Sequence, residues 1–143
     1  MARYVGTVPT DWGVARVFDY MADFSSVQEW DPGAVRASVL EGAPGSLGTK
    51  FEVMFKISGV TQRLVYETLE ATRPEKIVLR AETATFISLD TITITRSGEG
   101  SLLTYDADVR LRGPLRLGDP LLAIGFNKVA DKAAAGLRER LAD

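Results

Sequence analysis

The chain contains no histidine and no cysteine. Without histidine it lacks the one side chain that titrates unperturbed near neutrality, and with it His-based triads and the usual zinc and iron ligand sets. Any acid–base chemistry falls to Asp, Glu, Tyr or Lys with displaced pKa values, or to water. Without cysteine there are no disulfides, thiolate nucleophiles or thiolate metal sites, and redox chemistry does not fix the compartment. There is no run of Lys and Arg, and a net charge of −2 with mixed signs predicts no nucleic-acid partner and no attraction to an anionic membrane surface. No apolar run is long enough to span a bilayer, and Met1 to Thr10 lacks the apolar core of a signal peptide. The expectation is a cytoplasmic chain without stable membrane insertion, with no metal site, no cofactor and no assigned catalytic residue.

What is present is enough apolar sequence for one core. The 143 residues are 45% apolar and 25% charged, the profile of a single globular domain spanning residues 1–143. The longest element is predicted at the end, from Leu117 to Asp143. There Leu122, Phe126, Val129, Ala130, Ala133, Leu137 and Leu141 recur at three- and four-residue steps and share one helix face. Asn127, Asp131, Arg138 and Glu139 fall away from it. Gly118, Gly125 and Gly136 lie along one edge of the apolar face, although Gly lowers helix stability by ~1 kcal/mol relative to Ala. Such positions mean either close backbone approach or space. For Gly136, near the C-terminus, packing is the expectation.

Upstream, Arg3 to Val8 reads as a first strand. Thr10 or Asp11 reads as the N-cap of a helix from Trp12 to Ala22, and a second short helix ends near Trp30 before the breaker Asp31-Pro32-Gly33. From Val35 the period changes to two. Val35, Ala37 and Val39 alternate with polar residues, as do Phe51, Val53, Phe55 and Ile57, then Ile77, Leu79 and Ala81. Gln62, Leu64, Tyr66 and Thr68 alternate with partners that are also partly apolar. After a breach near Ala84, a strand from Asp90 to Thr95 carries Ile92 and Ile94 on one face, and a last strand carries Leu103, Tyr105, Ala107, Val109 and Leu111. This order predicts an α+β fold: a curved antiparallel sheet of about seven strands, two short helices between strands 1 and 2, and one long C-terminal helix. One sheet face is covered and one wet. The helix can cover only a strip, so the remainder either curls closed or stays open as a cleft.

Certain residues punctuate this order: Val17-Phe18-Asp19-Tyr20, Phe24 through Glu29-Trp30-Asp31-Pro32, the Gly45-x-x-Gly48-Thr49-Lys50-Phe51 turn, Thr72 to Ile77, Ser101 to Tyr105, and Gly113-Pro114. With them the chain resembles, over its whole length, the SRPBCC or START-like (helix-grip) superfamily, and within it the small bacterial polyketide cyclase/dehydrase-like group. The resemblance implies a cavity between the C-terminal helix and the sheet that takes an apolar ligand. It does not single out a function, because that scaffold hosts carriers, enzymes and interaction domains.

On that basis the expected function is binding or transport of a small hydrophobic ligand: a lipid, fatty acyl chain, isoprenoid or polyketide-like molecule. The candidate lining is Trp30, Phe51, Phe55, Leu64, Tyr66, Leu79, Ile92, Tyr105, Leu121 and Gly125. Tyr66 and Tyr105, on inward positions, are the candidates to present a hydroxyl. Gln62 is a possible contact near the rim. Trp30 either guards the mouth or anchors the second helix. Asp90 is in line with Ile92 and Ile94; if that register holds to the strand's start it points inward and needs a partner, as a catalytic or ligand-binding carboxylate would, but a solvated place at a frayed strand end is the stronger expectation. Asp106 and Asp108 share a solvated sheet face, and Glu29 and Asp31 are placed in solvent beside Trp30. The alternatives are a polyketide cyclase/dehydratase-type enzyme, against which the missing acid–base set counts, and a chaperone-activator or toxin-like interaction module with a vestigial cavity. Gly42 to Lys50 fails as a phosphate loop, because a strand follows it where a helix is required.

Overall fold

The computed structural model describes residues 2–57, 59–113 and 119–142, with side chains over 2–56, 59–113 and 126–142. Strand β1 (Ala2–Thr10) leads to helix α1 (Val14–Ala22), a 3-10 turn (Phe24–Ser26) and the one-turn helix α2 (Val27–Trp30). Six strands follow in series: β2 (Ala34–Glu41), β3 (Lys50–Ile57), β4 (Val60–Thr72), β5 (Lys76–Glu82), β6 (Phe86–Ser97) and β7 (Gly100–Leu111). Helix α3 (Asp119–Leu141) ends the chain. The strands form one sheet in the order β1-β7-β6-β5-β4-β3-β2, every pair antiparallel. The connection from β1 to β2 therefore crosses the full width of the sheet, and it carries α1, the 3-10 turn and α2 over the apolar face. No helix among the described residues is long and apolar enough to cross a membrane.

Period-two alternation sets the covered face. Phe51, Val53, Phe55, Leu64, Tyr66, Ile77, Leu79, Ile92, Ile94 and Leu103 are all buried in one cluster. From above, α1 adds Val17, Phe18 and Met21, the 3-10 turn adds Phe24, and α3 adds Leu137 and Leu141. The outer face carries ion pairs: Arg3 with Asp106, Arg63 with Glu52 and Arg110 with Asp108. Asp106 and Asp108 thus lie on the expected outer side.

Two local expectations are corrected. Thr10 does not cap α1, whose N-cap is Gly13 with no side-chain bond. Its Oγ1 accepts from Trp12 N at 3.1 Å and donates to Leu141 O at 2.7 Å, so it ties β1 to the far end of α3. On β2, Val35 and Val39 do not face inward. They are 61% and 40% exposed, while Ala34 and Ala37 are buried. Register shifts between Ala34 and Arg36 and between Val39 and Glu41 break the alternation, as a bulge does by adding an unpaired residue.

Gly136 is a packing glycine, as its place near the C-terminus suggested. A Cβ built there would clash with the carbonyl oxygen of Trp30. The absent side chain lets α3 rest directly on the α2 backbone. Helix propensity alone favours Gly136→Ala by ~1 kcal/mol, but the clash is with backbone and cannot rotate away. The substitution is expected to destabilise the fold by about 1–3 kcal/mol in denaturant unfolding; a gain in stability would show that the two helices do not meet this closely.

Candidate functional site

Cross-strand registry builds the site row by row. Ile77, Ile92, Tyr105 and Gly6 stand opposite one another on successive strands; Leu79, Asp90, Ala107 and Tyr4 form the next row, and Ala81, Ser88, Val109 and Ala2 the third. Directly paired residues share a sheet face. The row that contains fully buried Leu79 therefore carries Asp90 inward, and the strand does not fray there. Strand β6 begins at Phe86, well before Asp90, and is started by Thr83, whose Oγ1 accepts from Thr85 N and Phe86 N.

Asp90 is only 5% exposed. Its Oδ2 accepts from Tyr105 Oη at 2.5 Å and its Oδ1 from Ser88 Oγ at 3.0 Å. Tyr66 stands on the same face as Ser88, across Ala81, which contributes only a methyl group. Burial pushes the Asp90 carboxyl up to about 6 from an ordinary 3.8, against the two hydrogen bonds, and the negative charges of Asp31 and Asp106 push the same way. Burial, followed by the Asp90 charge, drives the Tyr66 and Tyr105 hydroxyls well above their ordinary value of 10.

Asp31 is also corrected. It is half-buried, its Oδ1 accepts from Gly33 N at 2.8 Å, and burial raises its carboxyl to about 6. Glu29 stays exposed and accepts from Tyr20 Oη at 2.8 Å and Arg140 Nε at 3.1 Å. The interior thus contains an acidic and phenolic set, Asp90, Tyr105, Ser88 and Tyr66 with Asp31 nearby, of which alternation marked the two phenols and, as the weaker reading, an inward Asp90. The available signal was the run Phe86-Ile87-Ser88-Leu89-Asp90 in register with Ile92. It places polar residues inward and leaves Leu89 37% exposed on the other face.

The structure brings eight of the ten sequence-predicted lining residues into one region. Phe51, Leu79 and Ile92 are fully buried, Phe55, Leu64, Tyr66 and Trp30 are buried, and Tyr105 packs against the same cluster. Leu121 and Gly125 belong to α3, with side chains outside the described ones, and Gly118 lies outside the described residues. Trp30 acts as an anchor. Its ring meets Tyr105 edge-on at 5.8 Å and Phe24 at 6.4 Å, and Nε1 donates to Ser26 Oγ at 3.4 Å. Gln62 is exposed. The Thr68 hydroxyl is buried without a hydrogen-bond partner among the described residues, but Leu79 separates it from Asp90. Among the described residues no group of carboxylates is arranged to hold a metal ion.

Cover over the inner face is uneven. Leu103 on β7 is fully buried, whereas Tyr105, Ala107, Val109 and Leu111, farther along the same inward side, are half-buried, as is Phe86 opposite Leu111. Gly6, opposite Tyr105, has no side chain, and the Tyr4 ring folds over it. A separate surface cleft of about 460 Å³ lies where α2 meets α3, lined by Trp30, Asp31, Glu29, Gly136 and Arg140 among others.

A family model described as polyketide cyclase/dehydrase and lipid transport matches residues 1–142. No curated protein matches the chain. Among solved structures, a START superfamily protein from Mycobacterium smegmatis superposes with a TM-score of 0.81 at 16% identity, covering 99% of this chain and 97% of that one. The major latex-like protein 151 from Panax ginseng superposes at 0.71 and 10% identity, over 99% and 98% of the two chains. The di-domain ARO/CYC BexL of the BE-7585A biosynthetic pathway superposes at 0.74 and 13% identity, over 99% of this chain and 50% of that one. These likenesses establish the START-like helix-grip fold.

The raised carboxyl has a consequence for stability. Folded Asp90 keeps its proton at pH values where the unfolded chain has released it. Its favourable contribution is complete below the unfolded value of 3.8 and is lost as the pH rises through about 6. Lowering the pH from about 8 to about 5 is expected to raise the unfolding free energy by roughly 1 kcal/mol through Asp90, with Asp31 acting in the same direction. Asp90→Asn should flatten that rise. An unchanged pH profile in the variant would show that Asp90 is not desolvated.

Proposed function

The chain belongs to the polyketide cyclase/dehydrase and lipid transport family, and from that premise we propose that it binds a small, largely apolar molecule between the inner sheet face and α3. One observation carries this reading: the inward side of β7 from Tyr105 to Leu111, with Phe86 beside it, is half-buried although it lies on the covered face of the sheet. Side chains that face a core and still meet solvent border a space. The walls on the described side are Tyr105, Ala107 and Val109, with Asp90, Ser88 and Tyr66 deeper in and the Trp30 ring packed on Tyr105. Leu121 and Gly125 of α3 are proposed to face the same space.

The mechanism of binding is desolvation. Each buried methylene contributes ~0.8 kcal/mol, so a chain of about ten carbons offers roughly 8 kcal/mol gross before immobilisation is subtracted. That suits a carrier that must also release its ligand. A second reading is favoured by the Asp90–Tyr105 pair: acid–base chemistry on a polyketide-like substrate. A carboxyl with a pKa of about 6, hydrogen-bonded to a phenol in an enclosed site, can exchange a proton near neutrality. The ARO/CYC likeness supports this only at the level of fold.

The test is direct. Organic extract of the natively purified protein, examined by mass spectrometry, should contain a recurrent apolar compound, and the stripped protein should bind the neutral dye Nile red. Val109→Trp, which fills the half-buried side of β7, should weaken Nile red binding at least tenfold with an unchanged circular dichroism spectrum. An empty extract with no dye binding would end the binding reading. Turnover of an aromatic-precursor thioester that disappears in Asp90→Asn would place the enzyme reading first.

A further inference from the structure

We propose that the hold of α2 on the sheet and on α3 is proton-linked: protons on Asp31 and Asp90 keep the α2–α3 crossing closed, and ionisation of the two carboxyls loosens it. The device involves no ligand and stands apart from the binding reading above.

Helix α2 is a single turn, Val27–Trp30, and a helix that short does not hold itself in water. Tertiary contacts set its place. The Gln28 amide pairs with the Ala37 backbone of β2, donating at 3.1 Å and accepting at 3.3 Å. Glu29 is held by Tyr20 and Arg140, an exposed charge pair of small weight. Between them the Trp30 ring packs on Tyr105, and the Trp30 carbonyl rests on α3 at Gly136. A carboxyl stands at each end of that central contact. Asp90 accepts the hydrogen bond of the Tyr105 hydroxyl. Asp31 follows Trp30 directly as the C-cap of α2 and lines the same cleft. Among the described residues its carboxylate has one donor, Gly33 N at 2.8 Å.

Neither carboxylate is bonded to a Lys or Arg among the described residues. Asp90 faces Tyr105 from β7, Tyr66 from β4, Ser88 from its own strand and the charge of Asp31, with Asp106 on the far side of the sheet. Asp31 shares its cleft with Glu29, Glu139 and Arg140, and its charge is felt at Tyr66, Asp90 and Tyr105. Ionised together, the two carboxyls repel across the Trp30–Tyr105 contact, in surroundings that screen poorly. Burial raises both to about 6. For Asp31 that burial depends on α2 lying against α3, so lifting α2 returns it to water and towards 3.8. The closed form therefore binds the proton more tightly than the open one. Its advantage is complete below 3.8 and is lost as the pH rises through about 6. For one such carboxyl, the open-to-closed ratio grows about tenfold from pH 5 to pH 8. Because Trp30 lines the cleft and covers Tyr105, opening α2 joins the cleft to the inner sheet face.

The test is amide hydrogen exchange on the full chain, corrected for the intrinsic rate at each pH. The reporter is the Asp31 amide, whose bond to Val27 O at 2.9 Å closes α2. Its protection is expected to fall about tenfold or more between pH 5 and pH 8. Throughout, it should stay well below that of the β6–β7 ladder and respond little to low urea, which marks a local opening. Asp31→Asn should cut the fall to about threefold or less, and adding Asp90→Asn should abolish it. The wild-type titration decides by itself where a variant fails to fold. Protection that does not change with pH, that equals the ladder's, or whose full tenfold fall survives in Asp31→Asn overturns the inference.

Discussion

Seven antiparallel strands present two faces, only one of them apolar, and three helical segments have to cover that face. The two short helices are held over it by necessity. The β1–β2 connection must run from one edge of the sheet to the other, so it passes over the inner surface. Where α1, the 3-10 turn and the end of α3 press down, Phe51, Ile77, Leu79, Ile92 and Leu103 lose all exposure. Beyond them, on the far half of β7, cover thins and inward residues stay half-buried. The contrast is a consequence of geometry: a curved sheet cannot be lined evenly by one straight helix and a few turns. A single fold constraint therefore produces both the packed core and the space beside it.

At the border between those halves lies the buried carboxylate cluster around Asp90. A buried charge disfavours folding unless its hydrogen bonds are satisfied. Here two donors meet Asp90, the Tyr105 hydroxyl and the Ser88 hydroxyl. The network resolves the desolvation of Asp90 only in part, which is why its carboxyl still lies near 6. An apolar replacement of similar volume would pack with no such penalty. That the site contains a polar floor inside an apolar wall is the usual composition of a ligand pocket, where a few oriented groups fix what the apolar walls merely attract.

Most of the architecture was legible in the sequence. Alternation located five of the seven strands closely, because their inward residues are large and apolar and their outward partners charged, as in Phe51 to Ile57 against Glu52 and Lys56. The long helix was legible from its three- and four-residue spacing, and Gly136 from its position. Two strands misled for local reasons. In β2 the bulges slip the register by one residue, which exchanges the faces of everything beyond them. In β6 the first residues reverse the hydropathy of the rest, so Ile87 and Leu89 mimic a loop and Asp90 mimics a frayed start. The site was hidden for that reason. Tyr66 and Tyr105 were recognisable as inward phenols, but their partner lay where a polar residue faces the core, and periodicity reads such a residue as surface. Thr10 misled differently: a side chain chosen by proximity for a helix start serves instead the end of α3, more than a hundred positions away in the chain.

The cluster also reaches the helices. Asp90 holds the Tyr105 hydroxyl, the Tyr105 ring lies against Trp30, and the Trp30 carbonyl rests on the bare backbone of α3 at Gly136. Each link is stiff: a charge-assisted hydrogen bond, an edge-on aromatic contact and a backbone contact with no side chain between to yield. Loss of the Asp90 acceptor would free the Tyr105 hydroxyl. A shift of that ring would press on Trp30, and through Trp30 on the α2–α3 crossing that borders the surface cleft. The buried carboxylate and the position of the helices above it are thus tied through the same three residues. Trp30, which the sequence left undecided between anchor and guard, is an anchor whose hold depends on the polar group it covers.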